Sequence, residues 1–479
     1  MKYHKVIGAA SAVALAVGLI GTAVAPAAAV GPESTYLVLA PQGANTKAAA
    51  ARVAAAGGTV VATYDQIGVL VAKSTSTAFE GAVVGRGVES VASTDGLGTT
   101  LIDDEINETV DSAAVDATGD PTAEPLWGSQ WDMVQIDVAA AHAVTTGDPS
   151  IVVGVLDSGI DYTHPDLASQ VAMDQSASCL DGVVDTDPAA WKNTTSSHGT
   201  HVAGTIAAAI NGVGIAGVAP GVKVASVKVV NDDGFIYPEA AVCAYLWAAD
   251  HGMPITNNSY FIDPWEFNCV NDPRQRPVWQ AVQRALSYSQ SKGTLTVASA
   301  GNSNVDLQHK FIDSNSPNNG APLEDRTITG ACRDLPAEAP GVVTVSAVGP
   351  TEQKSYYSSY GQGVVDVTAP GGDTRFRTGG VSSTITDAVL STVPGGGYGW
   401  SQGTSMAGPH AAGVAALALS AHPDLKVGQL ASFLERTATP LECPEGIYEP
   451  RPGWPATCTG GDRNGFYGAG NVNALNVVQ

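Results

Sequence analysis

The sequence predicts an α/β protein with a parallel sheet and helices on both faces, preceded by a small ferredoxin-like α+β unit. For the large domain, apolar runs typical of buried strands recur after Trp127, with helical stretches between them. This alternation favours a parallel sheet whose crossover helices cover both faces. For the small unit, residues 34–95 show the element order β-α-β-β-α-β of a ferredoxin-like fold.

The small unit has short predicted elements. Its helix at 46–56 is rich in alanine and is followed by Gly57 and Gly58, which are typical of a helix end. The other predicted elements are strands at 36–39, 59–62, 69–72 and 88–92 and a second helix at 77–84.

The large domain covers residues 127–479. Its predicted strands are 151–156, 222–230, 295–299, 342–348 and 364–368, and its predicted helices are 198–209, 239–251, 279–292 and 404–422. The segments 262–277 and 311–341 are predicted to be long surface loops.

Residues 96–126, between the two units, are acidic and rich in small residues. Weak periodicity and few aromatic side chains are typical of a linker. We expect a precursor to be cut within this segment.

Residues 1–29 have the parts of a secretory signal peptide. Lys2 and Lys5 form the positive start, an apolar run follows at 6–25, and alanines at 27–29 precede the expected cut. The alternative is an uncleaved anchor, because the run is long enough to span a bilayer. With no wall-anchoring tail after Gln479, we expect a secreted, extracellular protein without membrane attachment after signal cleavage.

The formal net charge of −23 suits a soluble protein, which we expect to be a monomer. It argues against a nucleic-acid partner, because phosphate binding needs clustered Lys and Arg.

Six cysteines lie beyond the signal peptide and predict disulfides in an exported chain. Cys443 and Cys458 bracket a short loop and are the preferred local pair, while Cys269 and Cys332 could join the two predicted loops. Zinc is the alternative, but the sequence has no C-x-x-C and no histidine cluster near a cysteine.

Four polar residues stand at predicted strand or helix ends, where parallel sheets bind ligands. They are Asp157 and Asn302 after strands and His198 and Ser405 at helix starts. Each has a structural alternative: a cap for the aspartate or serine, a turn residue for the asparagine, and a core residue or half a metal site for the histidine with His201.

Together these residues fill the roles that catalysis by a serine nucleophile requires. The serine needs a base, the base needs an orienting carboxylate, and the oxyanion needs hydrogen-bond donors. Ser405 can be the nucleophile, His198 the base and Asp157 the orienting carboxylate. The Asn302 side chain can donate to an oxyanion.

These residues lie within short motifs spread over the large domain. The motifs are VLDSGID from Val155, HPDL from His164, SHGTHVAG from Ser197, GVAP from Gly217, AGN from Ala300, YSS from Tyr357, APG from Ala369, GTSMA from Gly403 with Pro409-His410, and YGAGNVN from Tyr467. Because these motifs occur in this order, the chain from Trp127 onward resembles the subtilases, the subtilisin-like serine peptidases. The resemblance implies a subtilisin-like fold and a secreted serine endopeptidase that forms an acyl-enzyme intermediate.

The resemblance implies a role for each matched residue. Ser405 would be the nucleophile, His198 the general base and later the acid, and Asp157 the orienting partner. Asn302 and the backbone N–H of Ser405 would form the oxyanion hole. The implied substrate-binding residues are Ser259, Tyr260, Phe261, Ala300 and Gly301.

The unit at 34–95 is similar to the family's inhibitor-type pro-segment. In subtilases this segment assists folding and inhibits the enzyme until it is cut away. The implied partners are therefore polypeptide substrates and the chain's own pro-segment, within an autoprocessed precursor.

The resemblance also implies a possible structural Ca²⁺ site and no catalytic cofactor. The matching ligands are the side chains of Asp166 and Asn211 and the carbonyls of Ala209, Val213 and Ile215. Calcium prefers such oxygen ligands, and a turn without an ion is the alternative.

Two positions depart from the family's motifs. Subtilases usually continue the substrate-binding strand with Leu-Gly-Gly, whereas Tyr260, Phe261 and Ile262 follow Ser259 here. Glycine lets a substrate backbone come close, so the subsite preference stays open. Gly408 replaces a serine after Met-Ala, which we expect to be harmless.

Two other functions stay open. A non-catalytic secreted binding protein could use the same scaffold, since a fold does not prove activity. An inactive relative would usually have lost a triad residue, and this chain retains all of them. An esterase of the α/β-hydrolase type is disfavoured, because no G-x-S-x-G surrounds Ser405.

Overall fold

The computed structural model describes residues 1, 30–94, 105–262, 264–317, 323, 326–374 and 387–479. The predicted signal peptide beyond its first residue and residues 96–104 of the predicted linker lie outside this set.

The small unit has the predicted order of elements. They are β1 (Val30–Leu39), α1 (Lys47–Ala55), β2 (Gly58–Tyr64), β3 (Val69–Ser76), α2 (Phe79–Val83) and β4 (Ser90–Ser93). The strands form an antiparallel sheet in the order β2-β3-β1-β4. Along β1, Tyr36 and Val38 pack against α1 and α2, while Leu37 and Leu39 face the large domain, as strand alternation requires.

The large domain begins with β5 and continues to the C-terminus. Its first elements are β5 (Glu105–Val110), α3 (Trp131–Gln135), α4 (Val138–His142), β6 (Val152–Asp157), β7 (Ala177–Ser178), α5 (Pro188–Trp191), α6 (His198–Ala207), β8 (Lys223–Lys228), α7 (Pro238–Asp250), β9 (Ile255–Asn258), β10 (Asn268–Cys269), α8 (Arg276–Lys292) and β11 (Leu295–Ser299). The later ones are β12 (Ile312–Asp313), β13 (Arg326–Thr327), β14 (Cys332–Arg333), β15 (Val343–Val348), β16 (Val367–Pro370), β17 (Val389–Val393), β18 (Gly397–Ser401), α9 (Thr404–Ala421), α10 (Val427–Thr437), β19 (Ile447–Tyr448) and β20 (Ala456–Thr457). In the parts of the chain described, no helix combines the length and hydrophobicity that a membrane crossing requires.

The central sheet is parallel, with strand order β16-β15-β11-β9-β6-β8-β7. Every residue of β6 is buried, because helices cover both faces of the sheet. Val153 and Val155 pack in the core that contains α6 and α9, whereas Val152 and Leu156 pack with α7 and α8. This arrangement confirms the predicted fold class.

The sheet register brings the ends of three strands together. Leu156 of β6 pairs with Asn258 of β9, which pairs with Ala298 of β11. The residues that follow these strands therefore lie at one edge of the sheet, where α/β proteins bind ligands.

The described part of the predicted linker is attached to the large domain. β5 pairs with β18 in an antiparallel sheet of order β17-β18-β5. Further along, Val115 N donates to Gly212 O at 2.8 Å, and Leu126 N donates to Gly214 O at 2.8 Å. No strand was predicted here, because β5 is ordered by its pairing with the edge of β18.

Another difference from the sequence prediction concerns β16. The predicted strand at 364–368 begins later, at Val367, because the N–H groups of Val364 and Val365 both donate to Gly361 O in a turn.

Disulfides join Cys443 with Cys458, Cys269 with Cys332, and Cys179 with Cys243. The first two match the expected pairs. The second joins β10 to β14, so the two segments predicted as loops contain a short antiparallel pair.

The small unit docks onto α7 and α8 through its sheet. Leu37, Val69 and Val71 share a core with both helices. Arg284 of α8 donates to Ala40 O at 2.8 Å and pairs with Glu89 at 2.9 Å, and its side chain is only 10% exposed.

Replacing Arg284 with alanine is expected to loosen this docking. A buried charge-assisted contact contributes about 1.5–3 kcal/mol, so amide exchange in β1 and β3 should quicken roughly tenfold or more. Hydrogen exchange with mass spectrometry measures this. The control is Arg274→Ala, since that side chain is 82% exposed. Equal exchange in both variants would contradict the docking role.

Candidate active site

A buried histidine–aspartate pair lies at the carboxyl edge of the sheet. Asp157 ends β6, His198 opens α6, and His198 Nδ1 lies 2.8 Å from Asp157 Oδ1. The two side chains are 4% and 1% exposed, respectively. Ser158 N donates to the same carboxylate oxygen at 2.7 Å, so the carboxylate is fixed from its own strand end.

Glycines allow α6 to approach this strand end. A Cβ on Gly199 would lie 2.5 Å from Gly159 O and 3.1 Å from Asp157 Oδ1. Gly159 itself has φ +100°, and a Cβ there would lie 2.6 Å from the Asn193 backbone. The glycines of the motifs thus determine the position of His198.

Ser405 lies in the first turn of α9, next to the end of β9. Its Oγ donates to Ser259 O at 3.3 Å, and Ser259 Oγ donates to Ser405 O at 2.9 Å. The backbone N–H of Ser405 points to the N-terminal side of α9, where the helix dipole favours negative charge.

Asn302 is held in one orientation beside this turn. Its Oδ1 accepts hydrogen bonds from Thr404 N at 2.9 Å and Thr404 Oγ1 at 2.8 Å. Its Nδ2 lies 3.3 Å from the position that a Cβ of Gly403 would take, so the amide N–H faces the Gly403–Ser405 turn.

A cavity of about 280 Å³ lies beside the histidine. His198 and Met406, the residue after Ser405, both line it, together with Thr109 of β5 and Trp400 of β18. The structure thus brings the four predicted catalytic residues to one edge of the sheet.

His201, the second histidine of its motif, lies inside the protein. Its Nε2 lies 3.1 Å from both Val389 O and Gly399 O. Burial, and next the nearby His198, lower the pKa of His201 to about 3, so it stays neutral. Among the residues described, no cluster of His, Cys, Asp and Glu is arranged to hold a metal ion.

Sequence reasoning missed a second buried His–Asp pair. His410 Nε2 lies 2.9 Å from Asp132 Oδ2, and both side chains are fully buried. His410 Nδ1 lies 2.8 Å from Met406 O, so the pair fixes the helix turn that follows Ser405. The Pro409-His410 motif gave the histidine, but only the fold brings Asp132 to it.

The predicted substrate-binding residues separate into two groups. Ser259 and Gly301 lie beside the Ser405 turn, and Phe261, two residues after Ser259, is partly exposed. Tyr260 instead points into the core under the sheet, where its Oη donates to Asn258 Oδ1 at 3.0 Å. Ala300 is fully buried behind Gly301. Of the two bulky side chains, only Phe261 is partly exposed.

The predicted calcium ligands do not form an ion cage in this arrangement. Asp166 Oδ1 accepts from Asn211 Nδ2 at 3.1 Å, and Asp166 Oδ2 accepts from Tyr398 Oη at 2.9 Å and Ile215 N at 3.3 Å. Asn211 Oδ1 accepts from Val213 N at 2.8 Å. Ala209 contributes its N–H to Asp166 O at 3.0 Å. The side-chain oxygens are directed at protein donors, which does not fit a calcium ion.

Comparisons with known proteins find a matching family and several similar sequences. The model of the subtilase family (peptidase S8) matches residues 148–470. Fervidolysin of Fervidobacterium pennivorans is 31% identical over 336 residues, covering 68% of this chain and 42% of fervidolysin. Subtilisin of Bacillus pumilus is 33% identical over 311 residues, covering 64% of this chain and 90% of that protein. The match covers 65% of subtilisin NAT of Bacillus subtilis subsp. natto. The chain therefore spans less than two thirds of the length of both fervidolysin and subtilisin NAT.

Two solved structures are similar in fold. The epidermin leader peptide processing serine protease of Staphylococcus aureus has a TM-score of 0.70 at 21% identity, covering 93% of this chain and 98% of that one. A lanthipeptide protease has a TM-score of 0.55 at 25% identity, covering 73% of this chain and 93% of that one.

The Asp166 site predicts a pH effect on stability. Burial raises the pKa of Asp166 to about 7, above the ordinary carboxyl value of about 3.9. The folded protein therefore favours the protonated Asp166 carboxyl. Its contribution to the free energy of unfolding is fully present below about pH 4 and is lost as pH rises through about 7. The free energy of unfolding should fall over this range, and less so in Asp166→Asn. Urea unfolding in EDTA measures this, with the exposed Asp174→Asn as the control.

The same measurement with added calcium tests the ligand geometry. Because protein donors already engage the oxygens of Asp166, millimolar calcium should leave unfolding of the wild type unchanged. A calcium-dependent stabilisation that Asp166→Asn removes would contradict this arrangement.

Proposed function

The chain belongs to the subtilase family of serine peptidases, and on that premise we propose that it is a serine endopeptidase with a triad of Ser405, His198 and Asp157. The observation that carries the proposal is the buried 2.8 Å contact between His198 Nδ1 and Asp157 Oδ1, beside a cavity that Met406, the residue after Ser405, also lines. A carboxylate that holds Nδ1–H leaves Nε2 of the imidazole as the base.

In the acylation step, Ser405 Oγ attacks the carbonyl carbon of the substrate peptide bond while His198 Nε2 takes the hydroxyl proton. Asp157 stabilises the imidazolium that results. His198 then gives its proton to the leaving amine, and the acyl group stays on Ser405. In deacylation, His198 takes a proton from water, which attacks the ester carbonyl. The bond to Ser405 Oγ then breaks, His198 returns the proton to Oγ, and the new carboxylate leaves.

The oxyanion of each tetrahedral intermediate is assigned to Asn302 Nδ2 and the N–H of Ser405. Thr404 binds Asn302 Oδ1 with two hydrogen bonds, so the amide is oriented before substrate arrives. A donor fixed in advance stabilises the transition state without reorganisation.

The proposal includes a secreted precursor in which residues 34–95 are the inhibitor-type pro-segment. Its support is the docking of this unit onto α7 and α8 by an apolar sheet face and Arg284. The signal-like sequence at 1–29 supports export. The substrates would be polypeptides.

The register of β5 narrows the expected processing junction. β5 runs antiparallel to β18, with Glu105 opposite Ser401. Because β5 is paired with β18, it would remain with the large domain after the cut, and the expected junction precedes Glu105.

Replacing Ser405 with alanine is expected to lower kcat for a peptide substrate by about 10⁴-fold or more, because no nucleophile remains. Asn302→Ala should lower kcat by about 10²–10³-fold with little change in KM, because it removes an oxyanion donor. Hydrolysis of casein and of a fluorogenic peptide measures both effects.

The control for both variants is Ser432→Ala, an exposed serine of α10. An active Ser405→Ala enzyme would exclude this mechanism. A wild type that binds peptides and cleaves none of them would favour the non-catalytic binding protein, and cleavage of simple esters alone would favour an esterase.

The mature N-terminus is expected after Thr94 and at or before Glu105. Ser405→Ala should accumulate as the uncut precursor. N-terminal sequencing and intact mass of both secreted forms measure this. A mature protein that begins after Val110 would contradict the assignment of β5 to the mature enzyme.

A further inference from the structure

The turn that carries Asn302 is bound at its far end through the side chain of Asn304. Asn304 Oδ1 accepts a hydrogen bond from Lys354 Nζ at 2.7 Å, and Asn304 Nδ2 donates to Pro455 O at 3.1 Å. The backbone N–H of Asn304 donates to Tyr357 O at 2.7 Å. Both ends of the amide and the backbone of Asn304 are therefore held by segments that are remote in sequence.

Asn304 has a backbone conformation that few residue types adopt readily. Its φ is +52°, in the left-handed region that asparagine and glycine tolerate best. A change to glycine therefore removes the amide while the turn can keep its geometry. This separates the contribution of the side chain from that of the backbone.

Lys354 is a buried cation whose ammonium group is fixed in place. The residue is only 1% exposed, and its Nζ also donates to Ser355 O at 3.2 Å. The same nitrogen lies 5.1 Å and 5.4 Å from the ring centroids of Tyr360 and Phe466. A charge-assisted hydrogen bond is strong in such surroundings, because water does not screen it. The bond to Asn304 therefore ties the turn firmly to the core.

A disulfide-closed loop supports the same contact. The loop 443–458 contains the paired strands β19 and β20. Tyr448 Oη of β19 donates to Lys354 O at 2.6 Å, and Pro455 O, next to β20, accepts from Asn304. The loop thus binds the lysine on one side and the asparagine on the other.

Asn302 is held in two separate ways. Thr404 binds Asn302 Oδ1 from α9, which determines how the amide is oriented. The two ends of the turn determine where that amide lies. At the first end, Ala300 N donates to Val345 O at 2.9 Å, and at the other end are the contacts of Asn304. Loss of the Asn304 contacts would leave the amide oriented but free to shift.

We infer that Asn304 and Lys354 are positioning residues for the oxyanion donor Asn302, and that the loop 443–458 holds them in place. The inference rests on the proposed function. Both residues act through Asn302 rather than on the substrate. A misplacement of about 1 Å at a catalytic group can cost about 10²-fold in rate, so a turn that is released at one end should lose part of this factor.

The test measures kcat and KM of the mature enzyme with a fluorogenic peptide, per active site titrated with a fluorophosphonate. Asn304→Gly should lower kcat about 10-fold with little change in KM, because an oxyanion donor contributes in the transition state. Lys354→Met keeps the aliphatic stem, removes the ammonium and should have a similar effect. Asn304→Asp should stay within about twofold of the wild-type kcat, because it keeps an acceptor for Lys354 and tolerates the left-handed region.

A double-mutant cycle separates positioning from a general structural role. In the Asn302→Ala background, Asn304→Gly and Lys354→Met should change the residual kcat less than about twofold, because no donor remains to be misplaced. A role in overall stability would instead cost the same factor in both backgrounds.

Glu352→Gly is the matched control, since it also places glycine at a left-handed position, with φ +60°, and removes an exposed side chain. It should leave kcat and KM unchanged.

Three results overturn the inference while the peptidase proposal stands. They are a wild-type kcat in Asn304→Gly and Lys354→Met, an equal loss of kcat with and without the Asn302 side chain, and an Asn304→Asp enzyme as slow as Asn304→Gly. If Asn302→Ala keeps the full kcat, or the wild type cleaves no peptide, the proposed function itself fails and the inference fails with it.

Discussion

The parallel register of β6, β9 and β11 is the constraint on which the candidate site depends. Because Asn258 pairs with both Leu156 and Ala298, the three strands end at the same level. Asp157, Ser259 and Asn302 are thus positioned by the most buried part of the protein. Helices cover both faces of the sheet, so a register shift would move a large apolar surface. The cleft therefore does not depend on loops for its main geometry.

Close helix packing adds the remaining groups to this edge. Gly199 lets α6 bring His198 to Asp157, and a Cβ on Gly204 would lie 2.2 Å from Thr392 Oγ1 of β17. The buried pair of His410 and Asp132 holds α9 at the turn that carries Ser405. One set of packing contacts thus explains both the stability of the helices and the proximity of the proposed triad.

Features with local signals could be predicted from the sequence. Apolar runs gave β6, β11 and β15, and the motifs gave the proposed triad and Asn302. Features that depend on tertiary contacts could not: β5 is ordered by the edge of β18, and β9 reads Ile-Thr-Asn-Asn, which has little strand character although all four residues are buried. The donors around Asp166 likewise come from residues far away in the sequence, such as Tyr398.

The most direct test of the central claim is covalent labelling with a fluorophosphonate, which reacts only with an activated serine. Mass spectrometry of the digested protein would locate the label in the wild type and in His198→Ala. We predict one adduct, on Ser405, that is absent from His198→Ala because the base is lost. An adduct on another serine, or equal labelling of Ser405 without His198, would contradict the proposed active site.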